Sequence, residues 1–245
     1  MIAMNKMFIK SAFALLAMAF GANVLAASLP EAKVIPYNNE GLVVDLGVGL
    51  WAFPVPYDYD QDGLVDLFVN CPDRPMRGLF YFRNIGTLEN PLFDKAVKLS
   101  SEVTQHLCCS EYNGKMYVMN GEKECVDFFN KPYEVQEPVV YEGPSIKEGV
   151  NKFRSYMWNA VDWDNDGDMD YIVGSDSWDD YGWDNAFDEN GVWFRGPLHG
   201  WVYLVENVDV KFVNSGWVQA AGADIVVYGA PNPCVADFVY IISEH

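Results

Sequence analysis

Two stretches of the 245-residue chain set carboxylates at alternate positions ahead of a glycine. The first runs Asp58-Tyr59-Asp60-Gln61-Asp62-Gly63-Leu64-Val65-Asp66, the second Asp162-Trp163-Asp164-Asn165-Asp166-Gly167-Asp168-Met169-Asp170. Acid side chains spaced this way in a tight turn converge on one point, and the glycine allows the positive φ that the turn needs. Hard oxygen ligands of this kind suit Ca2+, which takes six to eight oxygens at about 2.3–2.6 Å; Mg2+ keeps its waters and fits less well. The expected side-chain ligands are Asp58, Asp60, Asp62 and Asp66 with the Leu64 carbonyl, then Asp162, Asp164, Asp166 and Asp170 with the Asp168 carbonyl. Two sites imply about two Ca2+ ions per chain. Four carboxylates so close repel one another, so the bare loop is expected to be loose. A merely solvated acidic turn would account for one copy better than for two aligned ones.

The first six loop positions resemble an EF-hand loop, but Val69 and Val173 stand where its twelfth-position Glu belongs. No helical pattern flanks either copy, so each loop is expected to join two strands. Downstream, each copy reaches a second apolar run ending in Asn, Gly78–Asn84 and Trp201–Asn207, and Gly114–Asn120 looks like a further copy of that run without an acidic loop. Short runs rich in Val, Tyr, Phe and Trp recur at Gly41–Val48, Leu64–Asn70, Gly78–Arg83, Lys115–Met119, Met169–Gly174, Trp201–Glu206 and Ala223–Tyr228. None extends with helical period, so the predicted class is all-β. Pro233–Phe238 repeats the approach to the loop, with Asp237-Phe238 matching Asp58-Tyr59 and Asp162-Trp163, but Val239 follows where Asp is expected. A third loop is therefore expected to have begun near Asp237 and been lost, which makes residues 27–245 a truncated repeat domain.

These motifs resemble the FG-GAP/VCBS repeat family, the calcium-loop β-propeller units also found in integrin α-subunit heads. The two acidic loops, the strand-to-Asn runs and the Gly-rich approach Tyr228–Pro233 carry the likeness. The resemblance implies blades of four strands, a propeller fold, and export or display at the cell surface. This chain has too few strands for the usual closed ring, so the implied form is a partial propeller with exposed strand edges.

Residues 1–26 read as an export signal: Lys6 and Lys10, a short apolar run from Ala12 to Phe20, and a cleavage site before Ala27. The run is shorter than the roughly 20 residues a membrane span needs. The expected location is therefore secreted, periplasmic or cell-surface. With 35 acidic against 16 basic residues the net charge is −19, which excludes non-specific nucleic-acid binding and disfavours anionic lipid. Among five cysteines, a local bridge from Cys108 or Cys109 to Cys125 is one expectation, while Cys71 and Cys234 are expected to be small buried hydrophobes.

Between the second loop and its Asn run lies a stretch dense in aromatics and acids: Trp178, Asp179, Asp180, Tyr181, Trp183, Asp184, Trp193, Arg195, His199 and Trp201. Indole faces beside carboxylates suit sugar rings, so Trp178, Tyr181, Trp183, Trp193, Arg195 and His199 are candidate ligand contacts; the same side chains equally suit a long loop packing on itself. No nucleophile elbow, phosphate loop or zinc-binding helix is present. The leading expectation is a non-catalytic, exported, calcium-binding module that binds carbohydrate or another surface ligand. The alternatives are a fragment of a secreted polysaccharide lyase or glycoside hydrolase, for which Arg154, Tyr156, Arg195 and His199 are the candidate residues, and a protein adhesion module.

Overall fold

Alternating apolar residues and Gly/Asn/Asp punctuation favour short strands joined by tight turns, and every regular element among the described residues is a strand. A computed structural model describes residues 33–36, 48–154, 156–182 and 186–235. The expected export segment 1–26, most of the Gly41–Val48 run, Trp183, Asp184 and the Asp237-Phe238 pair lie outside the described residues. The chain divides between Val34 and Ile35, and the second of these units carries the fold below.

β1 (Phe53–Tyr57), β2 (Asp66–Cys71), β3 (Gly78–Phe82) and β4 (Val97–Ser100) form a four-stranded antiparallel meander in chain order. β5 (Leu107–Tyr112), β6 (Lys115–Asn120), β7 (Lys123–Val126) and β8 (Val135–Pro138) form a second. The third sheet begins at its outer edge with the two-residue β9 (Tyr141–Glu142), which runs parallel to β13. Its meander is β10 (Tyr156–Val161), β11 (Asp170–Ser177), β12 (His199–Val208) and β13 (Lys211–Trp217). β14 (Gln219–Ala220) and β15 (Ala223–Asp224) make a small hairpin, after which β16 (Val226–Tyr228) pairs with the start of β12.

Strand register makes the three sheets comparable residue by residue. Tyr57 pairs with Asp66, Tyr112 with Lys115, and Val161 with Asp170. Both acidic loops therefore connect the first strand of a sheet to the second, while the middle sheet makes that connection through Asn113-Gly114, both in the left-handed region. Lys115–Asn120 is thus a second strand, aligned with β2 and β11. Its likeness to the third strands β3 and β12 is one of composition and not of position in the sheet.

The sheets pack in sequence through two interlayer cores. Val55, Phe68 and Leu79 of the first sheet meet Leu107, Val118, Cys125 and Phe128. Cys108 and Met119 of the second sheet meet Trp158, Tyr171, Val173 and Val205 of the third. Trp158, the largest of these, is fully buried, and burying such a side chain contributes about 2–3 kcal/mol. A third cluster of Val69, Cys71, Phe80, Phe82 and Phe93 covers the other face of the first sheet. The buried Asn70 side chain pegs the first two sheets: its Nδ2 donates to the Thr104 carbonyl at 2.9 Å, and its Oδ1 accepts from the Tyr133 hydroxyl at 2.8 Å.

All five cysteines are free thiols. Side chains alternate along β5, so Cys108 enters the second interlayer core while Cys109 packs against the first, where Cys125 also lies. Cys71 is buried as expected, but Cys234 is exposed. It follows β16 outside any strand of the described residues.

Candidate metal centre

The two acidic loops adopt the same conformation. Gly63 and Gly167 have φ of 87° and 92°, and Gln61 and Asn165, two positions earlier, also turn left-handed at 59° and 63°. Two left-handed residues in one short turn point alternate side chains inward, which explains why the acids recur at every second position.

Matching hydrogen bonds hold both turns. Asp58 Oδ2 accepts from the Gly63 N–H at 3.0 Å, and Asp162 Oδ2 from the Gly167 N–H at 3.1 Å. Asp60 Oδ1 accepts from the Asp62 N–H, and Asp164 Oδ1 from the Asp166 N–H, at 3.3 and 3.2 Å. Asp62 Oδ1 accepts from the Leu64 N–H, and Asp166 Oδ1 from the Asp168 N–H, at 2.9 and 2.8 Å. Leu64 and Asp168 thus occupy equivalent places beyond the glycine.

One oxygen from each of Asp58, Asp60 and Asp62 lies within 4.8 Å of the other two, and Asp162, Asp164 and Asp166 do the same. Within each ring the first aspartate keeps one buried oxygen, Asp58 Oδ1 or Asp162 Oδ1, that has no hydrogen-bond partner. A buried unpaired carboxylate oxygen is costly, and a cation shared with its two neighbours would satisfy it. The donor set is all oxygen, which fits Ca2+. Burial, followed by the charges of Asp166, Asp170 and Asp162, holds the Asp164 carboxyl above its ordinary value, against a lowering hydrogen bond from the Asp166 backbone. The ring therefore carries repulsion that a cation would relieve.

Asp66 and Asp170 sit beneath the rings, on the second strands, and are buried. Asp66 accepts from the backbone N–H of Tyr59 at 3.2 Å and of Asn84 at 2.8 Å, and from the Tyr81 hydroxyl at 2.8 Å. Asp170 accepts from the backbone N–H of Trp163 and of Asn207, both at 2.8 Å. Each carboxylate pins its loop to the end of the third strand, and the Asn that ends the third-strand run is the residue pinned. Burial, then the bond and charge of Asp66, pushes the Tyr81 phenol well above its usual range.

The loops differ in one neighbour. Arg83 Nε lies 2.7 Å from Asp60 Oδ2 and its Nη2 lies 3.1 Å from Asp62 Oδ2. The corresponding residue ahead of Asn207 is Glu206, whose carboxylate takes the Ser215 hydroxyl. Nothing in the acidic motif itself announces this cation; the signal was the charge of the residue preceding each Asn.

The aromatic stretch after β11 folds largely on itself. Tyr181 stands edge-on to Trp178 at 5.3 Å and against Trp193 at 4.5 Å, and Trp193 meets Phe187 at 5.2 Å. Trp193 Nε1 donates to the Arg195 carbonyl at 3.0 Å, and the Arg195 guanidinium lies 5.2 Å from the Phe194 ring. His199 pairs with Asp180 at 3.0 Å and stacks on Trp201 at 5.6 Å. Tyr156 is buried in the second interlayer core, and burial followed by its bond to Glu122 pushes its phenol well above the usual range. Arg154 lies over Trp178, at the start of the third sheet. No protein-family model, curated protein or solved structure matches this chain.

Proposed function

We propose that the chain is an exported, calcium-binding repeat module of the FG-GAP/VCBS kind. In this reading its three four-stranded antiparallel meanders are blades of a partial propeller, and it binds carbohydrate or another surface ligand without catalysing a reaction. One observation carries the cation assignment: a buried Asp oxygen without a hydrogen-bond partner occurs at the same place in both loops, next to two further carboxylates. Support for export comes from residues 1–26, and support for a non-nucleic-acid ligand comes from the charge of −19.

Isothermal calorimetry with Ca2+, or luminescence on substituting Tb3+, tests the reading. The expected result is about two ions per chain with dissociation constants of order 10⁻⁴–10⁻³ M, the range of extracellular modules. Asp60→Ala and Asp164→Ala should each remove about one ion. An unchanged ion count in both variants overturns the assignment.

A further inference from the structure

The acidic loops follow the ends of β1 and β10, so the residues ahead of the first strands gather at the opposite end of the sheets. A cleft of about 520 Å3 opens there, lined by Trp51, Asp73, Gln105, His106, Arg154 and Trp178. All three sheets contribute. Trp51, Gln105 and Arg154 each stand two residues before a first strand, β1, β5 or β10. Equivalent positions of the repeat thus send an indole, an amide and a guanidinium into one cavity.

The cavity wall is preorganised. Asp176, buried at its back, accepts from the Arg154 backbone N–H at 3.0 Å and from Trp178 Nε1 at 2.8 Å. The Arg154 guanidinium lies 4.4 Å from the Trp178 ring centre and 5.8 Å from that of Trp51. Trp51 itself is 56% exposed, a large indole left in water at the cleft mouth. His106 Nδ1 is buried without a hydrogen-bond partner. Burial holds the His106 pKa below its ordinary value, with Asp176 opposing.

The charge count selects the ligand class. One guanidinium faces two carboxylates, Asp73 and Asp176, on a chain of net charge −19, a field that repels polyanions. What remains is a ligand with an apolar face for an indole and hydroxyls for planar polar groups, in a cavity of the size small ligands occupy. We propose that this cleft binds a neutral sugar residue, stacked on Trp51 and hydrogen-bonded through its hydroxyls to Asp73 and Gln105. The inference rests on the carbohydrate half of the reading above and is independent of the cation half.

The test is titration of the full chain with neutral hexasaccharides of glucose, mannose and galactose, and with acidic hexagalacturonate, followed by tryptophan fluorescence and calorimetry. At least one neutral hexasaccharide should bind, Trp51→Ala should weaken it about tenfold or more, and Asp73→Asn should weaken it severalfold, with the melting temperature of both variants unchanged. No neutral binding at millimolar sugar, unaltered affinity in both variants, or preference for the acidic sugar would each overturn the proposal. Terbium luminescence on the same samples reads the acidic loops separately. Two bound ions with no sugar binding defeats this inference together with the carbohydrate half of the reading and leaves the cation half standing; sugar binding unaltered in both variants defeats the cleft alone, and sugar binding with no ion defeats the cation assignment alone.

Discussion

The Arg83 guanidinium is held 2.7 Å from Asp60, within the first acidic loop, while the corresponding place at the second loop belongs to Glu206. Among the described residues, one ring carries its own counter-charge and the other does not. Cations should therefore fill the Asp162–Asp170 loop first. Arg83→Ala should tighten the first site severalfold at low salt, because the guanidinium repels an incoming divalent ion and competes with it for Asp60 and Asp62. Site-resolved titration in Asp164→Ala and Asp164→Ala/Arg83→Ala backgrounds checks this; equal affinity in the two would contradict it.

Asp66 differs from the other acids of its loop in being buried with three donors bound to it. Asp66→Ala strands those donors and should cost about 2–4 kcal/mol in denaturant unfolding even without Ca2+. Asp62→Ala removes an exposed acid whose partners, the Leu64 N–H and the Arg83 guanidinium, can both turn to water, so without Ca2+ its effect should stay within about 1 kcal/mol.

The contrast between these two acids also marks how much the sequence revealed. The doubled motif located both loops, and the missing helical period led to an all-β fold, because spacing and period are local properties. The twofold role of the motif was not local: Asp66 and Asp170 bond to the chain at Asn84 and Asn207, across two strands. β1 is not legible as a strand in the sequence because Pro54 and Pro56 interrupt it, and it survives because it lies at the edge of its sheet. The strand Lys115–Asn120 was visible but misplaced in its sheet, since only register with β5 shows which strand it is. Arg154 and Trp178 of the cleft are candidates in the sequence, but their grouping with Trp51 and Gln105 is not legible there: Trp51, Gln105 and Arg154 are about 50 residues apart and meet only through the repeat.

Stability should depend on pH through His106. Burial lowers its pKa from 6.5 when folded, with Asp176 opposing. A histidine kept neutral by folding contributes stability above its unfolded pKa, and this is lost as pH falls below about 6.5 toward the folded value. Melting temperature should therefore fall less between pH 7.5 and 5.5 in His106→Gln than in the parent chain, as read by circular dichroism. Identical pH profiles would refute it.

Thiol chemistry should be selective. Burial pushes Cys108 up to about 12 and Cys109 up to about 11, and burial with the charge of Glu124 pushes Cys125 up to about 12. Cys71 is also buried, leaving Cys234 as the exposed thiol. At pH 8 a chromogenic disulfide should titrate one thiol rapidly and the other four only with unfolding; a second fast thiol would contradict the packing described.

The Tyr112 hydroxyl donates to the Gly167 carbonyl at 2.6 Å, and the Ser110 hydroxyl accepts from the Ala160 N–H at 2.7 Å. The middle sheet, which has no acidic turn of its own, is thus fastened to the turn of its neighbour. Calorimetry should register these two layers melting as a single cooperative event, and ion uptake at the third layer should raise the midpoint of both together.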